Sequence, residues 1–247
     1  MPRRKDIDEL LANWPFQPGE VMARLVKVSE SREVLQMRVD MGVLQMEVEG
    51  RPDGTRPSGA NTYFDHLLSQ VISDGDGFVL NAPQCAEVDR EFVQFYHRRI
   101  CWLALRKFHA AMRDADHTLG LMDFVKKHSP DDQWTLSHEQ YRPFVLFHRV
   151  QAAALAKLEE HGPESAIGEI NLGLEQFREI FEEYEASEKF DDDELVRRLL
   201  ELQKSLREHY QVERTLDERL ADAVATEQYE LAAKLRDEIA RRHTQGH

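Results

Sequence analysis

The stretch VLQMRVDMGVLQMEVE, residues 34–49, alternates apolar and polar side chains over most of its length. A period of two residues is typical of a β-strand that buries one face. Met41-Gly42 separates two such runs, and glycine accepts the positive φ that tight hairpin turns require. The sequence therefore predicts an antiparallel β-hairpin that turns at Met41-Gly42.

This turn fixes a register in which apolar residues meet across the two strands. Arg38 would face Gln45 and Gln36 would face Glu47 on the polar side. A slip of one residue would move every side chain to the opposite face, so the agreement supports the hairpin. The predicted apolar pairs are Val39 with Leu44, Met37 with Met46, and Leu35 with Val48.

The segments beside this hairpin complete a small sheet. Residues 21–28 predict a third strand, and residues 6–13 predict a short helix that ends at Trp14-Pro15. The Gly- and Pro-rich stretch EGRPDGTRPSGAN, residues 49–61, is interpreted as a connecting loop, although exposed loops of this kind also bind ligands. A three-stranded meander needs a cover on its apolar face, and we expect the helices downstream to provide it.

Residues 87–210 show a helical period and almost no strand signal. A second helix continues to Lys127, the segment SPDDQ interrupts the chain, and Ser137 with Gln140 predicts a capping box. The main helix then starts near Pro143 and continues to Glu160, where Gly162-Pro163 separates it from the next. The apolar stripe of the first helix, within residues 89–108, comprises Phe92, Phe95, Tyr96, Ile100, Leu103 and Ala104.

Two segments of this region are similar to each other. They are KFHAAMRDADHTLGLMDF at residues 107–124 and PESAIGEINLGLEQF at residues 163–177, and each follows a long apolar helix. This pattern resembles the helix-turn-helix units of tetratricopeptide proteins, and a generic helical bundle is the alternative. The aligned pairs are Ala111 with Ala166, Met112 with Ile167, Ala115 with Ile170, and Leu119 with Leu174.

A further helix is predicted from a cap at Asp191 or Asp192 through residue 210. Its leucines at 195, 199, 202 and 206 are spaced like a coiled-coil seam. This helix either continues into the last segment or bends around residues 211–215.

The last segment, TLDERLADAVATEQYELAAKLRDEIARR, spans residues 215–242. It resembles the UVR motif of the bacterial excision-repair proteins UvrB and UvrC, in which two short antiparallel helices meet at a tight corner. In this chain Tyr229 replaces the usual Phe, and Glu227 occupies a corner position that is often apolar. The resemblance assigns partner-binding positions to Leu216, Leu220, Val224, Tyr229, Ala232, Ala233, Leu235, Arg236 and Ile239.

The resemblance implies a function in protein–protein interaction. In known families the motif self-associates or docks onto a homologous hairpin, and it also occurs in regulators of bacterial protein quality control. The alternative is that the two helices pack only on their own domain. An isolated two-helix hairpin buries little apolar surface, so we expect it to pair with something.

Motifs that would indicate catalysis are absent from the sequence. There is no GxxxxGK[ST], GxSxG or HExxH, and Cys85 and Cys101 form no metal-binding pair. Asp114 and His117 lie three residues apart and could hold a metal, but we interpret them as making a surface or interhelical hydrogen bond. We therefore expect that the chain is not an enzyme and that it binds no metal and no cofactor.

Composition narrows the classes of partner. A net charge of -14 argues against direct nucleic-acid binding, because a phosphate backbone would be repelled. No apolar run approaches the length of a membrane span, and the basic start MPRRKDIDELL lacks the apolar stretch of a signal peptide, so we expect a cytoplasmic protein.

The sequence thus predicts an α+β fold that is mostly α. It contains a β-meander region at residues 1–60, a tetratricopeptide-like helical domain at residues 61–210, and a UVR-type hairpin at residues 211–247. The function expected is that of a non-enzymatic interaction adaptor or regulator. The alternatives are an accessory factor of nucleotide excision repair that contacts UvrB- or UvrC-like partners or DNA, and an enzyme with a site between sheet and helices.

Overall fold

Helices make up most of the computed structural model, which describes residues 6–75 and 77–245. The chain divides into two compact units, Met1–Ala152 and Ala153–His247, and the boundary falls inside one long helix. A three-stranded antiparallel sheet precedes the helices. The predicted fold class, α+β and mostly α, is confirmed. None of the described helices is long and apolar enough to cross a lipid bilayer.

The first unit contains the sheet and the first helices. In chain order its elements are α1 (Asp8–Asn13), β1 (Met22–Ser29), β2 (Arg32–Val39), β3 (Gly42–Glu47), α2 (Tyr63–Asp74), α3 (Ala82–Ala104), α4 (Phe108–His128), α5 (Asp132–Glu139) and α6 (Arg142–His161), which crosses the boundary.

The sheet has the order β1-β2-β3, and its hairpin differs from the predicted one by two residues. Val39 pairs with Gly42, so the turn is Asp40-Met41, and Gly42 starts β3 without a positive φ. The predicted register was wrong because a slip of two residues keeps every side chain on its face, so alternation cannot detect it. The observed pairs include Met37 with Leu44, Leu35 with Met46, and Gln36 with Gln45.

Both sides of the sheet are covered. Helix α3 packs against β1 and β2, which confirms the expected helical cover. On the polar face, the guanidinium of Arg24 lies 4.2 Å from the centroid of the Trp14 ring. Arg38 is buried there and donates to the carbonyl oxygen of Trp14 at 2.8 Å. The segment after α1 therefore shields a face that the sequence assigned to solvent.

Two helices were not predicted, α2 and α5. Ser137 lies inside α5, whose N-cap is Asp131, so the capping box predicted at Ser137 was wrong. The Ser137 hydroxyl instead donates to the carbonyl oxygen of Trp134 at 2.6 Å, a bond that serine makes within a helix. A capping box does occur at the start of α3, between Asn81 and Gln84.

A stripe of polar residues along α3 makes hydrogen bonds to the sheet, to the loop at residues 49–61 and to α2. We define this α3 polar stripe as Glu87, Glu91, Gln94 and Arg98, which recur at helical spacing. Its contacts with the loop at residues 49–61 are Arg51 Nη2 to Glu87 at 2.7 Å, Gln94 Nε2 to Asp53 at 2.9 Å, and Arg98 Nη1 to the Gly50 carbonyl oxygen at 2.8 Å.

Glu91, in the middle of this stripe, closes the start of α2. Its buried carboxylate accepts the backbone N–H groups of Tyr63 at 2.7 Å and Phe64 at 3.0 Å. The Thr62 side chain accepts the N–H of Asp65, so the first turn of α2 has hydrogen-bond acceptors from both sources. An apolar cluster below these groups joins α2, α3 and α4, and it includes Tyr63, Leu67, Leu80, Val88, Leu121, Phe124 and Val125.

The second unit is helical in its described residues, apart from the connections between helices. It continues from α6 into α7 (Pro163–Glu183), a 3₁₀ segment (Ser187–Asp192), α8 (Glu194–Tyr210), α9 (Leu216–Ala225) and α10 (Tyr229–Gln245). Helix α7 packs against α8. The positions aligned with α4, Ala166, Ile167, Ile170 and Leu174, are buried in α7. The tetratricopeptide-like interpretation stays a prediction.

The start of α8 differs from the prediction, and its end decides between the two predicted alternatives. Its N-cap is Asp193 rather than Asp191 or Asp192, because the 3₁₀ segment extends through those residues. Helix α8 stops where Gln211 adopts the left-handed conformation, so the chain bends before α9 instead of continuing as one helix. Of the predicted leucine seam, Leu199 and Leu206 are buried.

Candidate docking hairpin

Helix α9 begins with a capping box formed by Thr215 and Glu218. The Thr215 hydroxyl accepts the backbone N–H of Glu218 at 3.2 Å, and the Glu218 carboxylate accepts the N–H of Thr215 at 2.8 Å. Such a box satisfies two N–H groups that a helix start leaves free. The pattern TLDE in the sequence therefore marks where α9 begins.

The corner between α9 and α10 is closed by a Schellman motif. Glu227 has a φ of +57°, its N–H donates to the Val224 carbonyl oxygen at 3.1 Å, and the N–H of Gln228 donates to the Ala223 carbonyl oxygen at 2.8 Å. Glycine normally fills this left-handed position because it has no Cβ. The corner acid noted in the sequence is thus the residue that reverses the chain.

A small core holds the two helices together. Leu216 and Ala223 of α9 are buried against Ala232 and Leu235 of α10, and Leu220 and Ile239 are half-buried beside them. The alanines let the helices approach closely. Among the described residues, α9 is the one element against which α10 packs extensively.

Four of the nine predicted partner-binding residues lie outside this core. Val224 is 54% exposed and Tyr229 is 68% exposed, and both flank the corner. Ala233 and Arg236 are also exposed, on the same side of α10 as Tyr229 because they follow it at helical spacing. We define Val224, Tyr229, Ala233 and Arg236 as the exposed face of the hairpin.

The residue that sequence reasoning missed in the core is Ala223. Spacing alone could not have chosen it, because Ala223 and Val224 lie seven and eight residues after Leu216 and both positions belong to an amphipathic stripe. Leu231 is another apolar residue that was not singled out, and it is 40% exposed.

Glu218 also connects the hairpin to the helices before it. Its carboxylate accepts from Asn171 Nδ2 of α7 at 3.0 Å and from Arg207 Nη2 of α8. Gln203 donates to the Asn171 side-chain oxygen. Burial alone would raise the pKa of Glu218, but the hydrogen bonds from Thr215, Asn171 and Arg207, together with the Arg207 charge, hold that pKa below its usual value. The carboxylate is therefore charged and held by donors from α7, from α8 and from the N-cap of α9.

Asp114 and His117, considered above as a metal-binding pair, each contact a different residue of α3. Asp114 binds Arg98, and His117 Nε2 lies 3.0 Å from Glu91 Oε1, so both residues make interhelical hydrogen bonds as interpreted. Within residues 6–75 and 77–245, no group of three or more His, Cys, Asp or Glu is arranged to hold a metal ion. Cys85 and Cys101 are free thiols, and burial raises the pKa of Cys101 to about 12.

Comparison with known proteins shows which sequence motif forms the α9–α10 hairpin. The family model described as the UvrB/uvrC motif matches residues 214–241, which include all nine residues predicted from the resemblance. No curated protein and no solved structure matches the chain. The chain therefore carries a UVR motif, and that motif is the α9–α10 hairpin.

Proposed function

We propose that this chain is a non-enzymatic interaction protein that docks its UVR hairpin onto a UVR-type hairpin of another protein. The observation that carries the proposal is the exposed pair Val224 and Tyr229 at the corner. Large aromatic side chains that are exposed in the free protein often anchor protein–protein contacts. The apolar side chains of a second UVR-type hairpin would cover Val224 and Tyr229.

Different residues of the hairpin form its core and its exposed face, and this separation supports the proposed function. Leu216, Ala223, Ala232 and Leu235 hold the two helices together, so the exposed face is not needed for the hairpin to form. Arg236 extends this face with a charge, and it pairs at 3.7 Å with Asp237, which is itself exposed. Such an exposed pair contributes little to stability, which leaves Arg236 available to an acidic group on a partner.

The test replaces Tyr229 with Asp and uses Tyr141→Asp as the matched control. Tyr141 is 58% exposed in the first unit, so the same charge is introduced at another well-exposed tyrosine away from the hairpin. Circular dichroism first shows that both variants are folded. Affinity capture from a bacterial lysate then supplies proteins that contain a UVR-type hairpin, and each is purified and titrated against the three forms.

The expected result is binding to wild type and Tyr141→Asp, with at least tenfold weaker binding to Tyr229→Asp. Equal binding to all three forms would refute the proposal and move the contact away from the hairpin. Sedimentation of the wild-type chain alone distinguishes docking onto another protein from self-association. A dimer that Tyr229→Asp dissociates would replace the partner hairpin with a second copy of this chain.

The pathway that we favour for a second test is nucleotide excision repair, because the matched family model is described by UvrB and UvrC. In this function the chain would be an accessory factor that contacts a UvrB- or UvrC-like partner in the bacterial cytoplasm. The net charge of -14 favours contact with protein over contact with DNA. Increased ultraviolet sensitivity of a deletion strain, complemented by wild type but not by Tyr229→Asp, would support this assignment.

A further inference from the structure

We propose that Glu218 is a latch that fixes the direction of the α9–α10 hairpin relative to α7 and α8. The inference does not depend on what the hairpin binds. It starts from the packing of α10, which among the described residues packs extensively against α9 alone. The orientation of the two-helix hairpin must therefore be set by contacts of α9 or of the segment before it.

The contacts of Glu218 meet this requirement. One carboxylate accepts from the backbone of Thr215, from the amide of Asn171 and from the guanidinium of Arg207. Its side chain and that of Arg207 are 24% and 22% exposed, so water screens this ion pair only in part. The same group that starts α9 thus joins it to α7 and α8.

The partners of Glu218 are themselves held in place. Gln203 donates to the Asn171 oxygen, which orients the Asn171 amide nitrogen towards Glu218. Arg207 also donates to the backbone carbonyl oxygen of Glu213, in the connection before α9. The guanidinium therefore bridges the end of α8, the connecting segment and the first turn of α9.

The connection between α8 and α9 provides the pivot. Gln211 adopts the left-handed conformation at φ +56°, and the N–H of Val212 donates to the Arg207 carbonyl oxygen at 3.1 Å. Residues 212–214 are not helical. A short non-helical segment permits rotation of the hairpin about it, and the ion pair beside it opposes that rotation.

The consequence is a preorganised hairpin. While Glu218 is bound to Arg207 and Asn171, Val224 and Tyr229 keep one orientation relative to α7 and α8. This orientation is fixed before a partner binds. Ordering a segment in advance removes an entropic cost of binding. Glu218 and Arg207 are therefore positioning residues, and neither belongs to the exposed face that we assign to the partner.

The experiment measures the orientation of the hairpin directly. Spin labels are attached at Lys204→Cys in α8 and Lys234→Cys in α10, both exposed positions, and the half-buried Cys85 is replaced with Ser. Double electron–electron resonance then gives the distribution of distances between the two labels. The variants are Arg207→Met and Glu218→Gln, since glutamine retains the capping box but removes the carboxylate charge.

Arg198→Met is the matched control. Arg198 pairs with Glu194 on α8, so this variant removes an Arg–Glu pair from the same helix without touching the hairpin. We expect one narrow distance distribution for wild type and Arg198→Met. Arg207→Met should broaden it and add a population at another distance, and Glu218→Gln should do so to a smaller extent.

A narrow, wild-type distribution in Arg207→Met would overturn the latch. Circular dichroism separates a broadened distribution from unfolding, because unfolding changes the helix content as well as the distance. Failure of the latch would also be distinguishable from failure of the proposed docking function, which is decided by the binding of Tyr229→Asp and not by the distance between labels.

Discussion

Arg98 donates two hydrogen bonds to Asp114, from Nε to Oδ2 at 2.8 Å and from Nη2 to Oδ1 at 2.7 Å, and both side chains are buried. This pair joins α3 to α4 through a fork geometry that a guanidinium and a carboxylate share. We predict that Asp114→Asn lowers the free energy of unfolding by about 3–5 kcal/mol, because it leaves a buried cation without its counter-charge. Urea denaturation followed by circular dichroism measures this change.

The control for this prediction is Asp116→Asn, two residues away. Asp116 binds Arg149 at 2.6 Å, but its side chain is half-exposed, so the loss should stay below about 1 kcal/mol. Similar losses for the two variants would contradict the importance that we assign to the buried pair.

His148 makes the stability of the first unit depend on pH. Burial and the neighbouring Arg99 charge lower the pKa of His148 to about 4 from 6.5, and its Nδ1 accepts from Arg99 Nε at 3.3 Å. Between these values the unfolded chain binds a proton that the folded chain does not. Stability contributed by His148 is therefore complete above pH 6.5 and falls as the pH approaches 4, by on the order of 3 kcal/mol.

Unfolding by urea at several pH values checks this prediction. His148→Gln, which can still accept a hydrogen bond, should flatten the fall between pH 6.5 and 4. His161→Gln changes a histidine whose side chain is about half-exposed and should keep the wild-type slope. Parallel curves for all three proteins would show that His148 does not cause the pH dependence.

The corner of the UVR hairpin offers a stabilising substitution. Glu227→Gly removes the Cβ from a residue at φ +57° and should raise the stability of the hairpin by up to about 1 kcal/mol. Hydrogen exchange of the amides in α9 and α10 measures the effect locally. Lys234→Gly, in the exposed interior of α10, should instead lower stability by roughly 0.7 kcal/mol.

Two adjacent alanines separate the hairpin core from its exposed face. Ala232 is buried between the helices, so Ala232→Leu should overpack the core and lower stability by about 1–3 kcal/mol. Ala233→Leu should leave stability nearly unchanged, because that side chain points to solvent. Thermal unfolding compares the two, and an equal loss for both would contradict the assignment of the faces.

The features that the sequence predicted well are those that depend on local periodicity. The strand alternation around Gln36 and the spacing of Leu216 and Leu220 each place a side chain on the correct face of its element. The hairpin register was missed because Val39 can pair with Gly42 or with Leu44 without changing either face. Periodicity determines faces, and it does not determine a shift of two residues.

The features that could not be predicted depend on residues far apart in the chain. Glu91 caps α2 from 27 and 28 positions away, through Phe64 and Tyr63, and Arg98 reaches back 48 positions to Gly50. Glu218 could be recognised as a capping residue from TLDE, but its contact with Asn171 requires the packing of α7 to be known. Local patterns carry no information about such partners.

The α3 polar stripe has a consequence for protein engineering. A Gly- and Pro-rich surface loop is ordinarily a site where proteases cut and where a tag or a second domain can be inserted. In this protein the loop at residues 49–61 is held by Glu87, Gln94 and Arg98, so lengthening it near Asp53 would disrupt the hydrogen bonds between the loop and α3. The exposed turn at residues 30–31, between β1 and β2, is the better place for an epitope tag or a fluorescent fusion.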